Sequence, residues 1–134
     1  MAILIKCNAT DVVPGDELTF TLPKQRGVGL TEGLEAFVWT SEDPREGPKG
    51  TELEIRGEVT SWGPADRERT AVTIRVNERL SSGLSMDALA RIARQSEVAM
   101  SFYRRIAGFR HRRIWGLLPA ERQVLHQPFE ALCA

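Results

Sequence analysis

The chain has 134 residues, no net formal charge, 42% hydrophobic and 27% charged residues, the composition of an ordinary globular domain that buries about two thirds of its unfolded surface. Neutrality argues against a nonspecific polyanion binder, Cys7 and Cys133 suggest no disulfide framework, and no apolar run approaches the ~20 residues that cross a bilayer. A single domain over residues 1–134 in a reducing cytoplasm is expected, since "MAILIKCN" carries no basic leader or cleavage site.

The front half reads as strands. "AILIKC" (2–7) is a short apolar run, and Pro14-Gly15 fits the central positions of a type II turn, where proline presets φ and glycine accepts a positive value. "ELTFTL" (17–22) sets Leu18, Phe20 and Leu22 against Glu17, Thr19 and Thr21, the period of a half-buried strand. The glycine-bearing loop "PKQRGVGLTEG" (23–33) follows, and then a third strand, 34–41, apolar on both faces. After the charged loop "EDPREGPKG" (42–50), strand 51–62 points Leu53, Ile55 and Val59 inward and Glu52, Glu54, Arg56 and Glu58 outward, with Gly57 as a bulge or bend. "RTAVTIRVN" (69–77) repeats the alternation with Val72, Ile74 and Val76.

The period changes after residue 80. Ser85 caps a predicted helix carrying Leu89, Ile92 and Ala93, and a second helix, 96–107, aligns Val98, Phe102 and Ile106 on one stripe. "HRRIWGLL" (111–118) is ambiguous between strand and loop, and Pro119 opens a last helix that Pro128 is expected to stop. The fold class is therefore α+β: a small barrel of five or six strands flanked by short helices in the C-terminal half.

Charge is unevenly spread. Residues 1–85 hold 10 Lys/Arg and 14 Asp/Glu, whereas residues 86–134 hold 8 Arg and 4 acids. No acid lies between Glu97 and Glu121, a window containing Arg104, Arg105, Arg110, Arg112 and Arg113 beside His111. Such clustering makes a positive face on a neutral molecule, or a solvated helix surface pairing with the acidic front half.

Catalytic signatures are missing. His111 and His126 have no flanking ligand pattern, and there is no nucleophile elbow, CxxC or Walker loop, so neither a metal nor a cofactor is expected. "RGVGLTEG" leads into a strand, without the helix N-terminus that lets dinucleotide loops hold pyrophosphate, although Lys24 and Arg26 are placed to touch a phosphate. Glu42 and Asp43 sit in a proline-rich loop, where solvation explains them. Trp39 and Trp62 each stand where a strand gives way to polar residues. They either plug a core or wall a pocket for a flat ligand, and strict alternation from Leu53 puts Trp62 on the polar face unless a bulge reverses it.

The succession "EAFVWTSE", "GTELEIRGEVTSW", "TAVTIRVN" resembles the EVE branch of the PUA-like superfamily, and the tail "FYRRIAGFRHRRIWGLLPAERQVL" is similar to the close of such domains, with its basic segment, L-x-P-x-E and short final helix. The opening "MAILIKCN" lacks the aromatic usual there, and Phe20 is a substitute wall. The resemblance implies a PUA-like pseudobarrel that holds an extruded, often modified base of DNA or RNA without turning it over. Trp39 and Trp62 would sandwich the base, Thr40, Ser41 and Ser61 would bond its edge, and Lys24, Arg26, Arg110, Arg112 and Arg113 would meet phosphates. Two alternatives remain at this level. One is a small ASCH-like hydrolase of modified nucleosides, with Glu42 or Glu58 buried as its acid/base; the other is an interaction module that partners a nuclease or a second copy through its C-terminal stripe.

Overall fold

A computed structural model describes residues 2–8, 12–23, 30–41, 52–108 and 114–130. Strands β1 (Ala2–Asn8), β2 (Glu17–Pro23), β3 (Glu35–Ser41), β4 (Glu52–Pro64) and β5 (Arg69–Ser85) precede helices α1 (Met86–Ala93) and α2 (Glu97–Gly108). Strand β6 (Ile114–Leu117) and helix α3 (Pro119–Glu130) follow. The six strands form one sheet in the order β2-β5-β4-β3-β1-β6, open between its edges β2 and β6. Only β1 and β3 run parallel; the other pairs are antiparallel. The Pro14-Gly15 turn forms as expected, with Gly15 at φ 97° and the Asp16 N–H donating to the Val13 carbonyl at 3.0 Å.

Both faces of the central strands are buried, and each has its own core. Ile3, Ile5, Ala36, Val38, Ile55, Val59, Val72, Ile74 and Val76 fill the concave interior with Phe20, Leu22 and Ile114. On the other face, Leu4, Phe37, Trp39, Leu53, Trp115 and Leu117 meet Leu89, Ala93, Ala99, Phe102, Leu125 and Phe129 of the three helices. Full burial of each such side chain stabilises by about 1.5–3 kcal/mol, so the helical layer completes the fold rather than decorating it. The Ser85 hydroxyl accepts from the Ala88 N–H at 3.1 Å and starts α1 where capping predicts.

Polar contacts fix the last helix. Leu118, Pro119 and Glu121 build its first turn: the buried Glu121 carboxylate accepts from the Leu118 N–H at 2.9 Å and from Arg105 Nη1 at 2.6 Å. A carboxylate three residues into a helix reaching back to the capping residue is one half of a capping box, and here its other oxygen ties α3 to α2. Arg122 then clamps Glu35 of β3 with two bonds, 2.6 and 3.0 Å, and Arg56 Nε of β4 reaches the same carboxylate at 2.7 Å.

Several sequence expectations are corrected. Strand β5 runs to Ser85, well past residue 77, and "IWGL" within the ambiguous 111–118 stretch is a strand because β1 offers it a partner edge. Val98 does not share the buried stripe of α2: it is 41% exposed, while Ala99 and Phe102 are buried. The buried stripe runs from Ala99 to Phe102 at i, i+3 spacing instead of from Val98 at i, i+4, so the smaller residue faces the core. Pro128 does not stop α3, which continues to Glu130. Removing one donor in a final turn costs less than in a helix interior, and the extra turn buries Phe129 against Phe37, with ring centroids 5.8 Å apart.

Two stability predictions follow from these contacts. A Cβ on Gly57 would overlap the backbone carbonyl of Arg75, so Gly57→Ala lowers unfolding free energy by about 1–3 kcal/mol, read as an earlier urea midpoint at unchanged slope. Burial raises the Glu35 pKa, but the hydrogen bonds from Arg122 and Arg56 outweigh it and hold the carboxyl below the usual range. A lowered folded-state pKa contributes stability above the unfolded value and loses it as pH falls through the folded one. Glu35→Gln therefore destabilises the protein near neutrality and flattens the acid limb of its stability profile. An acid limb identical to the wild type would contradict this.

Candidate functional site

The sheet has two ends, and the sequence-predicted residues divide between them. At one end, β1 and β3 finish and β4 and β6 begin. Trp39 lies there, in register with Lys6 on one side and Leu53 on the other, and is 0% exposed. Trp115 pairs with Leu4, two residues before Lys6 on the same face, which brings its ring over the Lys6 ammonium, 5.1 Å from Nζ to centroid. Lys6, Trp115 and Thr40 are all buried. An ammonium taken out of water needs compensation, and the indole face supplies part of it as a cation–π contact.

The other end carries Trp62. The register of β4 against β5 shifts between Val59 and Ser61, so that Ser61 pairs with Thr73 and Trp62 with Val72. On the next strand Val72 pairs with Phe20, and Thr73 with Thr19. Directly opposed residues share a face, so Phe20, Val72 and Trp62 make one row, the row of the concave interior. The bulge that sequence alternation allowed for does reverse Trp62, although it falls after Val59 rather than at Gly57. Phe20 and Val72 are sealed; Trp62, at the rim, is 44% exposed. Ser61 is exposed but faces the other side of the sheet, in the row where the Thr19 and Thr73 hydroxyls bond at 2.9 Å, so it does not share the Trp62 face expected of it from the sequence.

Trp39 and Trp62 therefore do not face one another. The β4 partner of Trp39 is Leu53, nine residues before Trp62, a separation of roughly 30 Å along a strand. Trp39 has no surface for a ligand to stack on, whereas Trp62 has. Ser41 ends β3 on the Trp39 side, and its side chain lies outside the described residues together with Glu42, Lys24, Arg26, Arg110, Arg112 and Arg113. The chain enters Lys24 from Pro23, paired with Arg69 at the Trp62 end, and returns from Arg113 at Ile114, paired with Ile5 at the Trp39 end. Glu58 does not meet the burial condition for an acid/base: its side chain is 30% exposed and ion-paired with Arg75.

Sequence reasoning missed Lys6 and Trp115. Lys6 interrupts an otherwise apolar run, a signal of a buried cation, and Trp115 lay in the stretch left ambiguous. Among the described residues, no helix is long and apolar enough to cross a membrane.

No protein-family model matches the chain, and no curated protein matches it. Solved structures do. The DUF55 domain of human thymocyte nuclear protein 1 superposes with a TM-score of 0.60 at 12% identity, over 96% of this chain and 98% of that one. Rpa0253 from Rhodopseudomonas palustris gives 0.53 at 16% identity over 85% and 79%, and PSPTO5229 from Pseudomonas syringae gives 0.55 at 12% identity over the whole of both chains. The likeness is one of architecture along nearly the full length, and on it the chain has a PUA-like, EVE-type fold.

Proposed function

We propose that this protein is a nucleic-acid-binding module that receives a modified or extruded base on Trp62 at the rim of its pseudobarrel and does not transform it. The observation that carries the proposal is the row Phe20–Val72–Trp62. Two sealed side chains lead outward to a half-exposed indole, while Ser61 falls in the neighbouring row on the other face of the sheet. A rigid ring presented from a paired strand is a stacking platform, worth about 1–3 kcal/mol per base. Lys24 and Arg26, which follow β2 in the sequence and lie outside the described residues, are the phosphate partners this reading assigns to the platform.

The extrusion cost, a few kcal/mol, is least for modified, mispaired or single-stranded positions, so the module prefers those over intact duplex. Arg110, Arg112 and Arg113 lie outside the described residues. Their contribution is electrostatic attraction of the strand rather than contact with the held base. Trp39, Thr40 and Lys6 act as the fixed wall of the sheet. The fold shared with the DUF55 domain supports association with nucleic acid in general, and the exposed indole supports the base-holding role.

Tryptophan fluorescence checks this. Single-stranded oligonucleotides bearing modified bases quench part of the emission with an affinity that falls as salt rises, and Trp62→Ala weakens binding by roughly 5–100-fold while leaving the fold intact. Quenching that persists undiminished in Trp62→Ala, or no binding of modified or unmodified DNA or RNA at low salt, would overturn the proposal.

A further inference from the structure

The turn between α1 and α2 opens onto a groove of about 830 Å³ that plays no part in the base-holding site. Among the described residues its polar lining is Arg94, Gln95, Ser96, Ser101, Arg104 and Arg105, with Glu97 the one acid. Residues 97, 101, 104 and 105 fall on one helical face because they are spaced by four, three and one along α2. Arg94 caps the end of α1 opposite them, and the Ser96 hydroxyl accepts the Ala99 N–H at 3.3 Å at the start of α2. The arginines therefore come from two helices and converge on one depression.

Their charges are not equivalent. Arg105 is held by Glu121 at 2.6 Å and by the Gly116 carbonyl at 3.4 Å, which neutralises it and fixes one wall against β6 and α3. Arg94 and Arg104 are exposed, and neither has an ion-pair partner among the described residues. Two free guanidiniums beside a twelve-residue helix whose positive end opens into the groove make a local positive potential on a chain of zero net charge. Guanidinium matches phosphate oxygens in a planar, two-pronged geometry that an ammonium does not. The site is open along one side, and its polar groups share the wall with Ala93 and Met100, unlike the enclosed clefts that hold small molecules. A shape of this kind fits a flexible polymer of phosphates.

We infer that the α1–α2 groove is a second nucleic-acid contact, in which Arg94 and Arg104 bind successive phosphates of a single strand independently of base identity. The inference rests on the nucleic-acid reading above and adds the path of the strand outside the base site. Glu97 opposes the strand at the groove's edge and limits its affinity. Binding here supplies sequence-independent affinity, while Trp62 supplies discrimination.

The test uses the full chain and a fluorescein-labelled, unmodified oligothymidylate of about twelve nucleotides, within the span a single-strand site occupies, followed by anisotropy across a salt series. The double variant Arg94→Gln/Arg104→Gln is expected to bind about tenfold more weakly and to reduce the salt slope by about 1.4, the loss of two single-strand phosphate contacts. Glu97→Gln is expected to tighten binding severalfold at low salt. All three substitutions are of exposed side chains, and circular dichroism confirms that the variants remain folded. A double variant with wild-type affinity and slope overturns the groove whatever Trp62 does. A wild type with no affinity for the strand at low salt also overturns it, and quenching of Trp62 by modified mononucleosides then judges the base site separately. Loss of affinity in the double variant together with an unaltered Trp62→Ala supports the groove and removes the base site.

Discussion

Double-sided burial of β1 and β3 is the constraint from which the rest of the structure follows. Ile3, Ile5, Ala36 and Val38 face the concave core, while Leu4, Phe37 and Trp39 face the helices. A strand apolar on both faces is stable only between two layers, which obliges the sheet to curl on one side and the helices to cover the other. Sheet ends and rims are then the remaining places for polar function. Trp62 lies at such a margin and the α1–α2 groove in the helical layer itself, whereas Trp39 is sealed.

The polar side chains within these layers serve architecture. Lys6 sits against Trp115 where the strands end, and Glu121 and Glu35 each accept from groups on separate elements. Breaking one partner of such a cluster leaves a charge without compensation, which costs more than the pair contributes. This coupling carries the position of α3 to the sheet and that of α2 to α3. The Arg105 wall of the groove is thereby tied to β6 and α3.

Much of this was legible beforehand. The two-faced pattern of 34–41, the inward pair Ile55 and Val59, and the Ser85 cap follow from period and local hydrogen bonding and hold in three dimensions. Leu53, expected to join that pair, instead turns to the helical face across a register shift between Leu53 and Ile55. Trp62 was harder, because its face depends on a one-residue bulge after Val59, and a single extra residue inverts every side chain beyond it. The supposed meeting of Trp39 and Trp62 failed because sequence order says which strands exist but not how far along a long strand two residues stand. Lys6 and Trp115 escaped notice since their significance arises only when β6 lies beside β1.

The most direct test of the account is fluorine NMR of protein labelled with 5-fluorotryptophan, whose three resonances are assigned by individual Trp→Phe variants. Titration with a single-stranded oligonucleotide bearing modified bases is expected to move the Trp62 resonance and leave those of Trp39 and Trp115 in place. A shift of Trp39 or Trp115 with Trp62 unmoved would contradict the account, because it would locate the ligand at the opposite end of the sheet.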